Sequence, residues 1–193
     1  MMWWLKARRV PTVLAAMLVT FVVLVFVVQN TFVLLPSFTG RSQVALSLFV
    51  PIPLIAGLML CLESRIAPAE DSGVRSVALL DAALITAAIG TAVVTSVVAG
   101  LVLDAPQAGT AGRNALFLTG LMLCGRAVMG QRAVMIPVAW LFFVVFIGFR
   151  PTGDPYPWTI VPEPAGALHA VVGAVLAFLT GTLVQLYTSR KMS

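Results

Sequence analysis

Residues 10 to 29 carry no charged side chain, and Val13 to Val28 is apolar apart from Thr20. Uninterrupted runs recur further along, as at Phe142 to Ile147. Such a run has no polar face to present to water. Lipid suits it as solvent, and in lipid every backbone N–H and C=O must be paired within the chain, so the run folds as a helix. A transmembrane barrel is excluded, because its strands alternate apolar and polar residues in segments of about 10. Only 10% of the residues are charged and 60% are hydrophobic, against about 25% charged in a soluble domain. The mean hydropathy of +1.04 agrees. A water-soluble fold and a disordered chain are both ruled out.

A span needs roughly 20 apolar residues, so 193 residues with their loops hold at most about six. We expect an all-α polytopic membrane bundle, one transmembrane domain over 1–193. Its spans fall at about 10–29, 44–62, 77–102, 113–127, 133–149 and 165–187. The chain opens basic, with Lys6, Arg8 and Arg9, and then turns apolar like a signal peptide. No small-x-small cleavage site follows, so span one is read as uncleaved. Orientation follows from Lys and Arg. Lys6, Arg8, Arg9, Arg65, Arg75, Arg126, Arg132, Arg190 and Lys191 fall on one side; Arg41, Arg113 and Arg150 fall on the other. Both termini are therefore expected in the cytoplasm. Arg outnumbers Lys, as in high-GC bacterial coding, which suggests a bacterial cytoplasmic membrane.

Individual spans carry further expectations. Pro51 and Pro53 lie near the middle of span two. They should kink or break it, and broken helices often line transport cavities; a plain packing kink is the alternative. Span three is rich in small residues that let backbones approach closely, which predicts a position central to the bundle or to an oligomer interface. Span four has an apolar core of only Ala115 to Cys124, with Arg113 and Arg126 snorkelling outward from its ends. A hairpin that crosses only in part competes with two full spans there. The loop over residues 150–164 holds five of the twelve prolines, which prevents a continuous helix. It predicts an ordered external cap or a shallow re-entrant element, with Tyr156 and Trp158 at the outer interface.

Chemistry is sparse. A charge at bilayer depth costs about 2.5–3.5 kcal/mol, and Asp81 is the deepest acid, placed to cap a helix or pair with Arg75. His169 is the single histidine, too few for a bis-histidine haem or a zinc cage. It suits an interhelical hydrogen bond or a ligand contact on the substrate path with Pro51 and Pro53. Gly90, Gly100, Gly166 and Gly173 are read as helix-packing positions. Cys61 and Cys124 are read as small apolar residues. No phosphate-binding loop, zinc-protease or nucleophile-elbow motif occurs. No catalytic residue, metal ligand or directly bound cofactor is expected, and the chain is not an enzyme by itself. The basic pI of about 10.0 does not point to nucleic acid, because the cations form no stripe. The longest polar stretch, with Glu63, Arg65, Glu70, Asp71 and Arg75, is either a docking surface for a cytoplasmic partner or an ordinary solvated loop.

Taken together, six spans, cytoplasmic termini, the Leu62-Glu63-Ser64-Arg65 segment followed by Arg75, and the elaboration between spans five and six resemble small permease subunits of ABC-2-type exporters. The resemblance covers the whole chain as topology. The chain departs from the family in its length, its short fourth and fifth spans, and the lack of a long amphipathic helix before span one. The resemblance implies a separate cytoplasmic ATPase holding ATP and Mg, a second permease chain, identical or related, and a hydrophobic or amphipathic substrate moved through membrane lipid. The alternative is a non-transporting scaffold or regulatory subunit of a membrane complex.

Overall fold

The computed structural model describes residues 9–28, 31–37, 40–64 and 77–191. A π-helical turn, Val10–Leu14, leads into α1, Ala15–Val27. Strands β1, Phe32–Ser37, and β2, Gly40–Ala45, pair antiparallel with Phe32 opposite Ala45. Then come α2, Pro51–Glu63; α3, Val77–Val102; α4, Pro106–Met129; α5, Met135–Ile147; and α6, Leu168–Lys191. Five helical segments are long and apolar enough to cross a membrane. The chain is thus a mostly helical membrane protein.

Two expectations are corrected at span two. Its first residues form β2 and a 3-10 turn, Leu46–Leu48, and the α-helix begins only at Pro51. Pro51 and Pro53 therefore lie in the first turn of α2. An amide there has no intrahelical acceptor, so proline costs little and starts the helix instead of kinking it. The hairpin is the one departure from an all-α chain among the described residues. Phe32 and Val33 are strand formers, and the ladder pairs the backbone that leaves α1.

The fourth span is also corrected. α4 begins at Pro106, seven residues before Arg113, and its 24 residues rise about 36 Å. Pro106 opens the helix as Pro51 does. Gly130, at φ +57°, closes it in the left-handed region that glycine reaches without a Cβ penalty. After the 3-10 turn Gly130–Val134 the chain folds back. The rings of Phe117 and Trp140 stand 5.7 Å apart, so α4 and α5 form a hairpin. The 13 residues of α5 rise only about 20 Å, short of the roughly 30 Å of a hydrocarbon core.

The centre of the bundle is α4, not the small-residue span three. It contacts α1, α2, α3, α5 and α6. Three glycines explain its position. A Cβ at Gly112 would stand 2.7 Å from the Val93 Cα in α3. A Cβ at Gly120 would meet the backbone of Ala177 and Phe178 in α6, and one at Gly181 would stand 2.5 Å from the Gly120 oxygen. With no hydrophobic force between helices in lipid, such backbone approach is what gains dispersion energy. Elsewhere Gly100 packs on the Gly109 backbone and Gly173 on the Ile160 side chain. A Cβ at Gly90 or Gly166 would meet no atom within 4 Å, so among the described residues they are not packing positions, and the outward face of α3 is exposed there. Gly120→Val should destabilise the detergent-solubilised protein by about 1–3 kcal/mol. Gly90→Val should stay within roughly 0.5 kcal/mol. Thermal unfolding followed by circular dichroism checks both.

Candidate functional site

The chain from Gly148 to Ala167 forms a strap over the hairpin end of the bundle. Its first part closes on itself. The Arg150 amide donates to the Asp154 carbonyl at 2.8 Å and the Tyr156 amide to the Gly148 carbonyl at 2.9 Å. The prolines break any helix, so these local bonds supply the pairing that a helix would give. Thr159, fully buried, donates its hydroxyl to the Tyr156 carbonyl at 2.6 Å. Ile160 then takes φ +57°, an uncommon and costly conformation for a β-branched residue. Its side chain lies against Gly173 of α6, and the carbonyls that follow turn inward.

Those carbonyls meet Arg113. The side chain is 9% exposed. Its Nη1 donates to the Pro164 oxygen at 2.8 Å, and its Nη2 to Glu163 at 2.6 Å and Val161 at 3.1 Å. The Asn114 side-chain oxygen lies 3.4 Å from both Nε and Nη2. Arg113 therefore does not snorkel outward as expected. It turns inward and supplies donors to three strap carbonyls: those of Val161 and Glu163, which no backbone amide pairs, and that of Pro164, which also accepts from the Ala167 amide at 3.1 Å. A planar guanidinium with five N–H groups serves several acceptors at once.

Between strap, hairpin and the first turns of α4 lies a cavity of about 350 Å³. Its apolar walls include Phe32, Leu48, Phe149 and Val161. Ser47, Gln107, Thr110 and Glu163 are its polar lining. Gln107 Oε1 is enclosed without a hydrogen-bond partner. Glu163 is 9% exposed, and His169 Nε2 stands 3.6 Å from its Oε1. His169 itself is half-exposed in the first turn of α6, beside the cavity and not in its wall. Neither Pro51 nor Pro53 borders this space. Gln107 and Glu163 were missed by the sequence reading; an acid between two prolines was the available signal.

Around the strap an aromatic cluster faces outward. Trp140, Phe143 and Trp158 make ring contacts at 5.7–6.2 Å, Tyr156 stacks on Trp158, and the Arg150 guanidinium lies 5.3 Å over Tyr156. Trp and Tyr with an apolar body and a polar tip suit a membrane–water boundary.

At the opposite end, Glu63 closes α2 onto α4. Arg126 Nε donates to its Oε1 at 3.1 Å and Arg126 Nη2 to the Leu62 carbonyl at 3.2 Å. Glu63 was expected to face a partner and Arg126 to snorkel; instead they pair across 63 residues of sequence. The other docking candidates, Arg65, Glu70, Asp71 and Arg75, lie outside the described residues. Asp81 is fully buried in α3. Cys61 and Cys124 are not joined by a disulfide. Among the described residues, no three His, Cys, Asp or Glu side chains gather to hold a metal. Compared with models of known families, with curated proteins and with solved structures, the chain shows no match.

Arg113→Met should release the strap and cost about 2–4 kcal/mol, since charge-assisted bonds are lost and carbonyls stay buried. Hydrogen exchange over residues 156–167 should rise in parallel. Arg113→Lys should recover little, because an ammonium lacks the fork. A double-mutant cycle on Glu63→Gln and Arg126→Gln should give a coupling of about 1 kcal/mol in thermal unfolding.

Proposed function

We propose that this protein is the membrane-embedded permease subunit of an ATP-driven exporter for a hydrophobic or amphipathic substrate. The observation that carries the reading is the strap-roofed cavity. Its volume lies within the roughly 300–1,000 Å³ of small-molecule sites, and mainly apolar walls with a few polar groups are what an amphipathic ligand needs. In this reading the helices make six spans, with α4 and α5 as the fourth and fifth. Both termini lie in the cytoplasm, and the strap faces outward from a bacterial cytoplasmic membrane. A separate ATPase binds ATP and Mg and docks at the loop carrying Arg65, Glu70, Asp71 and Arg75. Glu63 braces the end of α2 beside that loop instead of meeting the partner. A second permease chain completes the path, and the subunit has no catalytic residues of its own.

The scaffold reading is favoured by a different observation. Ala83, Ala87, Gly90 and Thr91 form an exposed face of α3 that none of the described residues covers, and small residues suit contact with another membrane helix.

Affinity purification of the tagged protein from native membranes separates the two. The exporter reading expects an ATPase in fixed ratio, lost on charge reversal at Glu70, Asp71 and Arg75 and kept in Gly90→Val. Recovery of a membrane partner without any ATPase, released by Gly90→Val, would replace it with the scaffold.

A further inference from the structure

We infer that the strap-roofed cavity binds a cationic amphiphile, an alkyl- or arylammonium whose charge is met by Glu163 and whose apolar body lies against Phe32 and Phe149. The inference deepens the exporter reading, on which it rests for treating the ligand as the substrate.

Charge carries the argument. Among the described residues lining the cavity, Glu163 is the one charged side chain. A carboxylate has about four lone-pair sites. Among the described residues, the side-chain nitrogen recorded against it is His169 Nε2 at 3.6 Å, too long for a hydrogen bond. Arg113 is close enough to feel the charge of Glu163, but it lies behind the strap with its donors given to the carbonyls of Val161, Glu163 and Pro164 and to Asn114. It does not border the cavity. A carboxylate this buried, with acceptor capacity left over, asks for a charged donor.

The remaining lining fits the same ligand. Gln107 has its Oε1 enclosed, so the rest of its amide is what it can turn to the cavity. Ser47, itself buried, adds a hydroxyl. Most of the remaining lining is aromatic, aliphatic or proline. An anionic amphiphile would face Glu163 with like charge. A neutral one would leave the carboxylate unmatched.

The test uses the full chain in phosphatidylglycerol nanodiscs with three dansyl probes of equal chain length: a primary ammonium, an alcohol and a carboxylate. The ammonium should bind about tenfold tighter than the alcohol, and the carboxylate least. Glu163→Gln should remove that preference, and Glu163→Asp should keep part of it. Hydrogen exchange of the strap shows that each variant is folded. Equal binding of the three probes, or an ammonium preference that survives Glu163→Gln in a folded strap, would overturn the assignment. Repeating the titration with phosphatidylethanolamine in the disc separates sources of the ammonium. Unchanged affinity assigns the site to a free amine, and weakened affinity assigns it to the lipid's own headgroup. Loss of the exporter reading, by purification without an ATPase, leaves these binding results intact. Failure here with an ATPase present removes only the substrate class.

Discussion

The contact between Arg113 and the carbonyls of Val161, Glu163 and Pro164 is what makes a non-helical strap possible on an apolar bundle. Proline-rich backbone leaves carbonyls that no helix or sheet pairs. Water would pair them at the surface, but those of Val161 and Glu163 belong to buried residues, while Pro164 sits at the exposed rim and shares its carbonyl with the Ala167 amide. An unpaired buried polar group costs about 1–3 kcal/mol, and a guanidinium without partners costs more. Each alone is unfavourable. Joined, the cation and its acceptors satisfy each other, and the strap is fixed at the height that encloses the cavity. The left-handed turn at Ile160 belongs to the same arrangement, because it redirects the chain so that the carbonyls point inward.

That contact depends in turn on α4 being central. Gly112 and Gly120 bring α3 and α6 to backbone distance. Arg113 and Asn114, beside Gly112, are buried for that reason. Small residues here decide which polar groups are enclosed, and the enclosed groups then need partners. Packing thus selects Arg113, not its position in a hydropathy profile.

How much was legible in the sequence follows from this order of causes. Helix content and membrane character were legible, since apolar runs such as Val13 to Val28 leave lipid-compatible helix as the one solution. The cap after α5 was legible too, because prolines exclude a helix whatever their surroundings. The role of the prolines in α2 was not. Whether Pro51 kinks or starts a helix depends on where the helix begins, and that was set by the β-ladder of Phe32 to Ala45, which has no strong local signature in an apolar chain. Of the two positions expected for span three, the bundle centre goes instead to α4, because Gly112 and Gly120 are few while span three has many small residues. Spacing against a neighbour matters and number does not: Gly90 is as small as Gly120 and touches nothing. Gln107 and Glu163 were invisible because a cavity between three separate segments has no linear pattern.

The two arginines of α4 show what takes the place of snorkelling. Arg113 and Arg126 are 13 residues apart, a rise of about 20 Å, against a hydrocarbon core of roughly 30 Å. Long side chains could bridge that difference by snorkelling, but neither arginine does so. At about 100° per residue they also point to roughly opposite faces. Each instead has an internal partner on its own side, supplied by a different segment at each end. Arg126 takes the Glu63 carboxylate and the Leu62 carbonyl, at the end of α2. Arg113 takes bare carbonyls, which carry partial charge only and leave its positive charge to be balanced at longer range. The nearest negative charge on that side is Glu163, whose backbone oxygen Arg113 holds while its side chain borders the cavity. The same residue thus anchors the strap through its carbonyl and gives the cavity its charge through its carboxylate.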